Sequence, residues 1–172
     1  EIIPFLSSSW LPIQTNSCIL IANVLYYNNS NRIRFLEYEG SMELLIRLIT
    51  QTEQQQYDWG IVEACLRALL SLSYIDAASL WLGTEGNCIP LLLKFLQPSV
   101  ISNESFCSKY ALEIINNMCI HHTIRRTILD LHGTGNPLDP FFEAISVLEK
   151  QYEFAQREQP YLLWSHELAR NI

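Results

Sequence analysis

The cysteines are the residues of this sequence best suited to metal binding or redox chemistry. They are Cys18, Cys65, Cys88, Cys107 and Cys119. No two have the close spacing of a zinc site, and the odd number leaves no complete set of disulfide pairs. All five lie in or beside apolar runs, where cysteine usually acts as a small buried side chain. The pattern predicts free, buried thiols in a reducing compartment, and therefore an intracellular protein of the cytoplasm or nucleus.

Histidines are the other common metal ligands, and the chain has four of them. They are His121, His122, His132 and His166. No cysteine or carboxylate is spaced to complete a metal site around them. His121 and His122 fall at the end of an expected helix, where a positive charge complements the helix dipole. We predict a helix-capping role for this pair, and we expect no metal and no cofactor.

Sequence motifs of catalysis are missing. The stretch Gly133-Thr134-Gly135 is too short for a phosphate-binding loop. Acidic residues are scattered rather than paired for acid–base chemistry, and no nucleophile motif occurs. The sequence therefore predicts a protein that is not an enzyme.

Composition narrows the class of partner. The formal net charge is −7 and the isoelectric point is about 5, whereas nucleic acids are bound by basic surfaces. The apolar run at residues 18–27 is too short to cross a bilayer. Charged residues make up only 17% of the chain, which suggests that some apolar surface meets another surface. We expect neither nucleic acid binding nor membrane insertion. A start at Glu1 rather than Met is compatible with a fragment of a longer protein.

The elements that must position these residues are clearest between residues 15 and 50. An ordered set of segments occurs there: an apolar helical run (18–27), a polar break (28–31), an amphipathic piece (32–39) and a second apolar run (42–49). Gly40 stands before the last run, where helices often end in the left-handed conformation that glycine adopts without strain. The pattern predicts three helices with a sharp turn before the third.

The same pattern recurs along the chain. Gly40 follows Ala22 by 18 residues, and Gly86 follows Ala68 by the same interval, so the copies are shifted by 46 residues. The shift places Leu20, Leu66 and Leu112 in one column of the long helices, and Tyr26, Leu72 and Met118 in another. Leu66 is predicted to be buried in the long helix of the central repeat. Further helices are predicted at residues 61–74, 77–82, 90–96, 106–119 and 124–131.

A unit of three helices and about 46 residues falls within the range of armadillo and HEAT repeats. We predict an all-α, right-handed armadillo/HEAT-like α-solenoid of about three three-helix repeats plus a C-terminal helix. It would form one domain over residues 1–172, with a partial repeat at 1–27 and repeats at 28–74, 75–119 and 120–172, the last degenerate. The alternative is a non-repeating helical bundle.

Residues 16–50 resemble an armadillo repeat array. Residues 16–27 resemble the end of a third helix, with Ala22 as its small residue. The positions that match the following short helix, turn and second helix are Asn31, Arg32, Gly40, Leu44, Leu45 and Leu48. The run Ala68-Leu69-Leu70-Ser71-Leu72 is similar to the third-helix pattern, and Ile89-Pro90 is similar to an opening of the second helix. The resemblance covers most of residues 1–150.

Armadillo proteins typically bind extended peptides in a groove lined by their third helices, and nuclear-import members place ladders of Trp and Asn there. The Trp column of this sequence holds Ile21, Arg67 and Glu113, and the Asn column holds Leu25, Ser71 and Asn117. Only Asn117 keeps the family's residue, so basic nuclear-localisation peptides are not the expected ligand. The resemblance implies a groove in which a partner contacts Arg67, Ser71, Glu113 and Asn117.

Two functions follow from this reading. In the first, the chain is a non-enzymatic module that binds a peptide or helix of a partner protein in the groove. In the second, it is a structural segment of a larger assembly, without a groove ligand, that stacks or self-associates through apolar ends at residues 2–6 and 161–168. Arg67 and Glu113 would then form an exposed ion pair between adjacent repeats.

Overall fold

The computed structural model describes residues 2–53, 58–97, 100 and 105–133. Over these residues every regular element is a helix and no strand occurs, which confirms the all-α prediction. The chain divides into two compact units, Glu1–Trp81 (unit 1) and Leu82–Ile172 (unit 2). The predicted C-terminal helix, the apolar segment 161–168 and His166 lie outside the described residues.

Both units are built of consecutive helices. Unit 1 contains a 3-10 helix, Ile3–Ser7, then α1 (Leu11–Leu25), α2 (Asn29–Leu36), α3 (Ser41–Glu53) and α4 (Trp59–Ser73). Helix α5 (Asp76–Gly83) begins in unit 1 and ends in unit 2. Unit 2 continues with α6 (Ile89–Lys94), α7 (Ser105–Met118) and α8 (His122–Gly133).

The order of a long helix followed by shorter ones recurs at nearly constant intervals. The long helices α1, α4 and α7 start at residues 11, 59 and 105, so their starts are 48 and 46 residues apart. The helices that follow them, α2, α5 and α8, start at residues 29, 76 and 122. These spacings agree with the 46-residue period of the sequence. The stacking of repeats into a right-handed solenoid, and the predicted repeat boundaries, stay predictions.

Local capping signals explain most helix ends. The Asn28 side chain accepts the backbone N–H of Asn31 at 3.0 Å at the start of α2, and Asp58 accepts two backbone N–H groups at the start of α4. Pro12 and Pro90 lie in the first turns of α1 and α6, where a missing N–H costs little. Gly40 has a φ of +76°, which confirms the predicted left-handed turn before α3.

Two predicted boundaries are wrong. The break between the first two helices lies at residues 26–28 and not at 28–31: α1 ends at Leu25, Asn28 is the N-cap of α2, and residues 29–31 form its first turn. Asparagine and serine favour helix starts as well as loops, so composition alone did not distinguish the two. Helix α3 runs past Thr50 to Glu53, and the Thr50 and Thr52 hydroxyls are satisfied inside it by donating to the carbonyls of Ile46 and Ile49, so these polar residues do not end the helix.

The core of unit 1 is centred on α4, which packs against α1 and α3. Buried side chains occur on nearly every face of this helix, as expected of a helix that is apolar all round. They are Ile61, Val62, Ala64, Cys65, Leu66, Ala68, Leu69, Leu70, Ser71, Leu72 and Ser73. The predicted burial of Leu66 is confirmed.

Residues that share a column of the repeat differ in burial. Leu66 has no exposed surface and Leu112 is buried, but Leu20 is 47% exposed. Leu72 and Met118 are likewise buried, whereas Tyr26 is exposed. A repeat register equates positions along the chain, but burial depends on the neighbours that each helix has in space.

In unit 2 the close approach of two helices requires a glycine. A Cβ atom on Gly83, the last residue of α5, would lie 2.3 Å from Cδ1 of Ile124 and 3.1 Å from Cε of Met118. Helix α6 packs against α7, and the Ser108 hydroxyl donates to the carbonyl of Phe95 at 2.7 Å. Gly83 is therefore required for helix packing, because any side chain at this position would collide with Ile124 and crowd Met118.

Candidate functional site

Arg67 lies on α4 at the seam between α4 and α1. Its side chain is partly exposed, and its Nη2 donates a hydrogen bond to Oδ1 of Asn23 on α1. The sequence offered Glu113 on the next long helix as an ion-pair partner of Arg67, and it gave no signal for the hydrogen bond to Asn23 on the preceding one.

Ser71 lies one turn after Arg67 but faces the interior. It is buried, and its hydroxyl donates to the Arg67 carbonyl at 3.0 Å. Because this bond satisfies the hydroxyl within its own helix, Ser71 shapes the α4 surface below Arg67 rather than offering a polar group to a ligand. The structure thus places Arg67 and Ser71 side by side, with only Arg67 partly accessible.

Glu113 and Asn117 lie one turn apart on α7 in unit 2. Both are buried, with 9% and 8% of their surface exposed. Glu113 forms an ion pair with Lys109 on the preceding turn, with a distance of 4.0 Å between Nζ and Oε1. Burial raises the pKa of Glu113 above its ordinary value of 4.5, and the charge of Lys109 offsets the rise in part. The binding role predicted for Arg67, Ser71, Glu113 and Asn117 stays a prediction.

The burial of Glu113 predicts a pH dependence of stability. Between pH 4.5 and its raised pKa, the folded chain binds more protons than the unfolded chain, so this residue makes stability fall as the pH rises. We expect Glu113→Gln to raise the thermal midpoint at pH 7, with a gain that shrinks to nothing below about pH 4.5. The measurement is thermal unfolding between pH 4 and 8. The control is Glu43→Gln at an exposed residue, which should not raise the thermal midpoint at pH 7, because a carboxylate in the first turn of α3 complements the helix dipole. A Glu113→Gln variant that is less stable at pH 7 would show that the fold requires the charged carboxylate.

An apolar groove of unit 1 was not predicted from the sequence. It has a volume of about 560 Å³ and opens to solvent. We call it the unit 1 groove, and its lining consists of Ile2, Ile3, Pro4, Ile21, Val24, Leu25, Asn31, Arg34, Phe35 and Tyr38. The Asn31 amide donates to the Val24 carbonyl at 2.9 Å and ties the first turn of α2 to the end of α1. The two walls of the groove are therefore held together by a hydrogen bond.

The electrostatics of this groove come from one cation. Arg34 is exposed on α2, and it makes no hydrogen bond or ion pair within the part of the chain that the structure describes. No described residue of the lining is acidic. The sequence gives little indication of the groove, because Arg34 and Phe35 fit the polar and apolar faces of an ordinary short helix.

The histidine pair does not cap α7. Arg125 does so from α8, where its Nη1 donates to the carbonyls of Cys119 at 2.6 Å and of Ile120 at 3.0 Å. His122 is instead the first residue of α8. An arginine can reach back from the next helix to several carbonyls at once, which the sequence position of the histidines does not reveal.

Neither a metal site nor a membrane-spanning helix is found in the described residues. No three of their His, Cys, Asp or Glu side chains are grouped to hold a metal ion. Of the helices described, none is long and apolar enough to span a bilayer. The geometry offers a groove and an arginine-bearing helix seam, both of which suit binding.

No protein-family model matches the chain, and no curated protein sequence matches it significantly. The armadillo resemblance therefore rests on the sequence positions given above. Its coarsest implication, an all-helical chain, agrees with the described residues.

Proposed function

We propose that the chain is a non-enzymatic protein-interaction module, of armadillo or HEAT type, that binds a segment of a partner protein. The segment is a peptide or helix that presents apolar side chains and one nearby carboxylate. It occupies the unit 1 groove, one wall of which is α1, the third helix of the first, partial repeat in the predicted phasing. The module acts in the cytoplasm or nucleus, where its five free thiols stay reduced, and it uses no cofactor.

The observation that carries this proposal is the exposed apolar character of the groove. Val24 and Tyr38 of its lining are exposed, although valine contributes no polar group that would favour contact with water. The volume of about 560 Å³ lies in the usual range of ligand sites and suits a few side chains of a peptide. Exposed apolar concavities of this kind commonly mark interaction sites.

The choice of a carboxylate follows from Arg34. A guanidinium binds a carboxylate through two parallel hydrogen bonds, which gives orientation as well as attraction. Arg34 offers this geometry at the edge of a lining without a described acidic residue. An apolar segment with one acidic residue is complementary to both features, whereas a basic segment would meet a like charge.

The test is a selection of peptides from a phage-displayed library on the immobilised chain, followed by fluorescence anisotropy. We expect selected peptides to combine aliphatic or aromatic residues with one Asp, Glu or terminal carboxylate. Arg34→Glu should weaken their binding by about tenfold or more, because reversal replaces an attraction with a repulsion. Arg47→Glu is the matched control, since Arg47 is exposed on α3 outside the groove lining, and it should leave the affinity within about twofold.

The same peptides separate the two candidate surfaces. Loss of affinity with Arg67→Ala or Glu113→Ala, and none with Arg34→Glu, would place the ligand on the third-helix surface predicted from the sequence. The groove assignment would then be wrong, while the binding function would stand. Failure to select any peptide would argue against the binding function itself.

A second candidate, a structural segment that self-associates, is favoured by a different observation. Large apolar side chains are exposed near the start of unit 1, among them Phe5, Trp10, Leu11 and Leu20. Such a surface can be covered by another copy or by a neighbouring part of an assembly. Light scattering of the isolated chain distinguishes the candidates, because self-association gives a mass that rises with concentration. A monomer at all concentrations supports the binding module.

A further inference from the structure

Two buried cysteines meet at the interface between α1 and α4. Cys18 and Cys65 are 47 positions apart in the chain, yet their sulfur atoms are 3.8 Å apart and the Cys65 thiol donates to Cys18. Neither residue has exposed surface. The contact joins two helices of extensive mutual packing, so the sulfur atoms are held in register by the core of unit 1.

The environment makes the two thiols unequal. The hydrogen bond from Cys65 lowers the pKa of Cys18, against the opposing effects of burial and of the Asp58 charge. The hydrogen bond to Cys18 and burial both raise the pKa of Cys65. Cys18 is therefore the thiol that ionises first, and the thiolate is the reactive form of cysteine.

We propose that Cys18 and Cys65 form a redox-sensitive pair that hydrogen peroxide converts into a disulfide joining α1 to α4. A disulfide bond is about 2.05 Å long, so the sulfur atoms must approach by about 1.8 Å, which side-chain rotation and a small helix shift can supply. This proposal does not depend on the binding function.

The chemistry balances in two steps. The Cys18 thiolate attacks one peroxide oxygen, the O–O bond breaks, and the leaving hydroxide takes up a proton to become water, which leaves Cys18 as a sulfenic acid. The Cys65 sulfur then attacks the Cys18 sulfur, the S–S bond forms, the S–O bond breaks, and the hydroxide leaves as water with the Cys65 proton. Two thiols lose two electrons and two protons, and one peroxide becomes two waters.

Burial decides which oxidant can act and how fast. Since neither residue is exposed, the oxidant reaches the pair through transient separation of α1 and α4. A small neutral molecule such as hydrogen peroxide needs a smaller opening than a bulky disulfide such as oxidised glutathione. Two other buried thiols, Cys88 and Cys119, hold less of the reactive thiolate, because burial raises the pKa of Cys88 to about 12 and that of Cys119 to about 11.

The test uses the purified, folded chain treated with hydrogen peroxide, then with N-ethylmaleimide, and digested without reduction. We expect mass spectrometry to find one dominant cross-linked peptide pair, Cys18 with Cys65, which dithiothreitol reverses. Closing a loop of 47 residues restricts the unfolded chain, so the oxidised form should melt about 5–15 °C higher. Free thiols throughout, or a dominant cross-link between other cysteines, would overturn the proposal.

Single variants test the order of the steps. Cys65→Ser should leave Cys18 as a sulfenic acid that dimedone labels, whereas Cys18→Ser should leave Cys65 unlabelled. Equal labelling of Cys65 in the second variant would overturn the assignment of Cys18 as the first nucleophile. Should either variant fail to fold, dimedone labelling of the wild-type chain at short times also shows which of the two cysteines is oxidised first.

Discussion

Leu66→Ala is expected to lower the free energy of unfolding by about 2–5 kcal/mol, the usual range for truncating a core leucine. Leu66 has no exposed surface and lies in the middle of α4, the helix on which the core of unit 1 is centred. The loss combines the transfer free energy of three carbon atoms with the cost of a cavity that α1 and α3 cannot fully close. Urea unfolding followed by circular dichroism measures it.

Leu20→Ala is the matched control for this prediction. Leu20 occupies the same column of the repeat on α1, but it is 47% exposed. Its truncation should therefore cost less than about 1 kcal/mol, since nearly half of its surface already lies in water. Equal costs at Leu20 and Leu66 would mean that the sequence register, and not the observed burial, describes the core.

Arg32→Ala is expected to cost about 2–4 kcal/mol, more than an arginine on a helix surface usually contributes. Arg32 is buried, and its Nε donates to the Leu25 carbonyl at 3.0 Å, where α1 ends. Its Nη1 donates to Oδ1 of Asn29 at 2.8 Å, and its Cζ lies 5.3 Å from the ring centroid of Tyr74. Truncation removes a charged hydrogen bond to a helix terminus and a cation–π contact together.

Two variants on the same helix sharpen this test. Arg34→Ala should change stability by less than about 0.5 kcal/mol, because Arg34 is exposed. Arg32→Lys should recover only part of the loss, since an ammonium group cannot reproduce the planar fork that reaches both acceptors. Urea unfolding of the four proteins gives the comparison, and a full recovery by lysine would show that only the charge matters.

Arg32 and Arg125 play the same helix-capping role in the two units. Each lies on the helix after a long helix, and each donates to carbonyls where that long helix ends. In the sequence, Arg32 matches the short-helix pattern, and the pattern at the end of α7 predicts a capping role for His121 and His122 instead of Arg125. The common function emerges only from the hydrogen bonds.

The sequence by itself determined the helical class, most helix positions and the spacing of the repeat. These depend on local signals: apolar periodicity, the caps Asn28 and Asp58, proline in first turns, and the left-handed Gly40. Such signals act over a few residues and can be recognised in the sequence without knowledge of the fold. Errors arose where one residue type serves two local structures, as at the start of α2.

Only the tertiary structure decided which side chains meet. Leu20 and Leu66 share a column but not a degree of burial, and the hydrogen bond from Arg67 to Asn23 joins two residues that the repeat period does not relate. The Cys18–Cys65 contact and the unit 1 groove likewise join residues from different elements. The physical reason is that helix formation depends on residues close together in the chain. Side-chain contacts depend instead on the separation, rotation and stagger of packed helices, and the spacing of a sequence repeat does not contain that information.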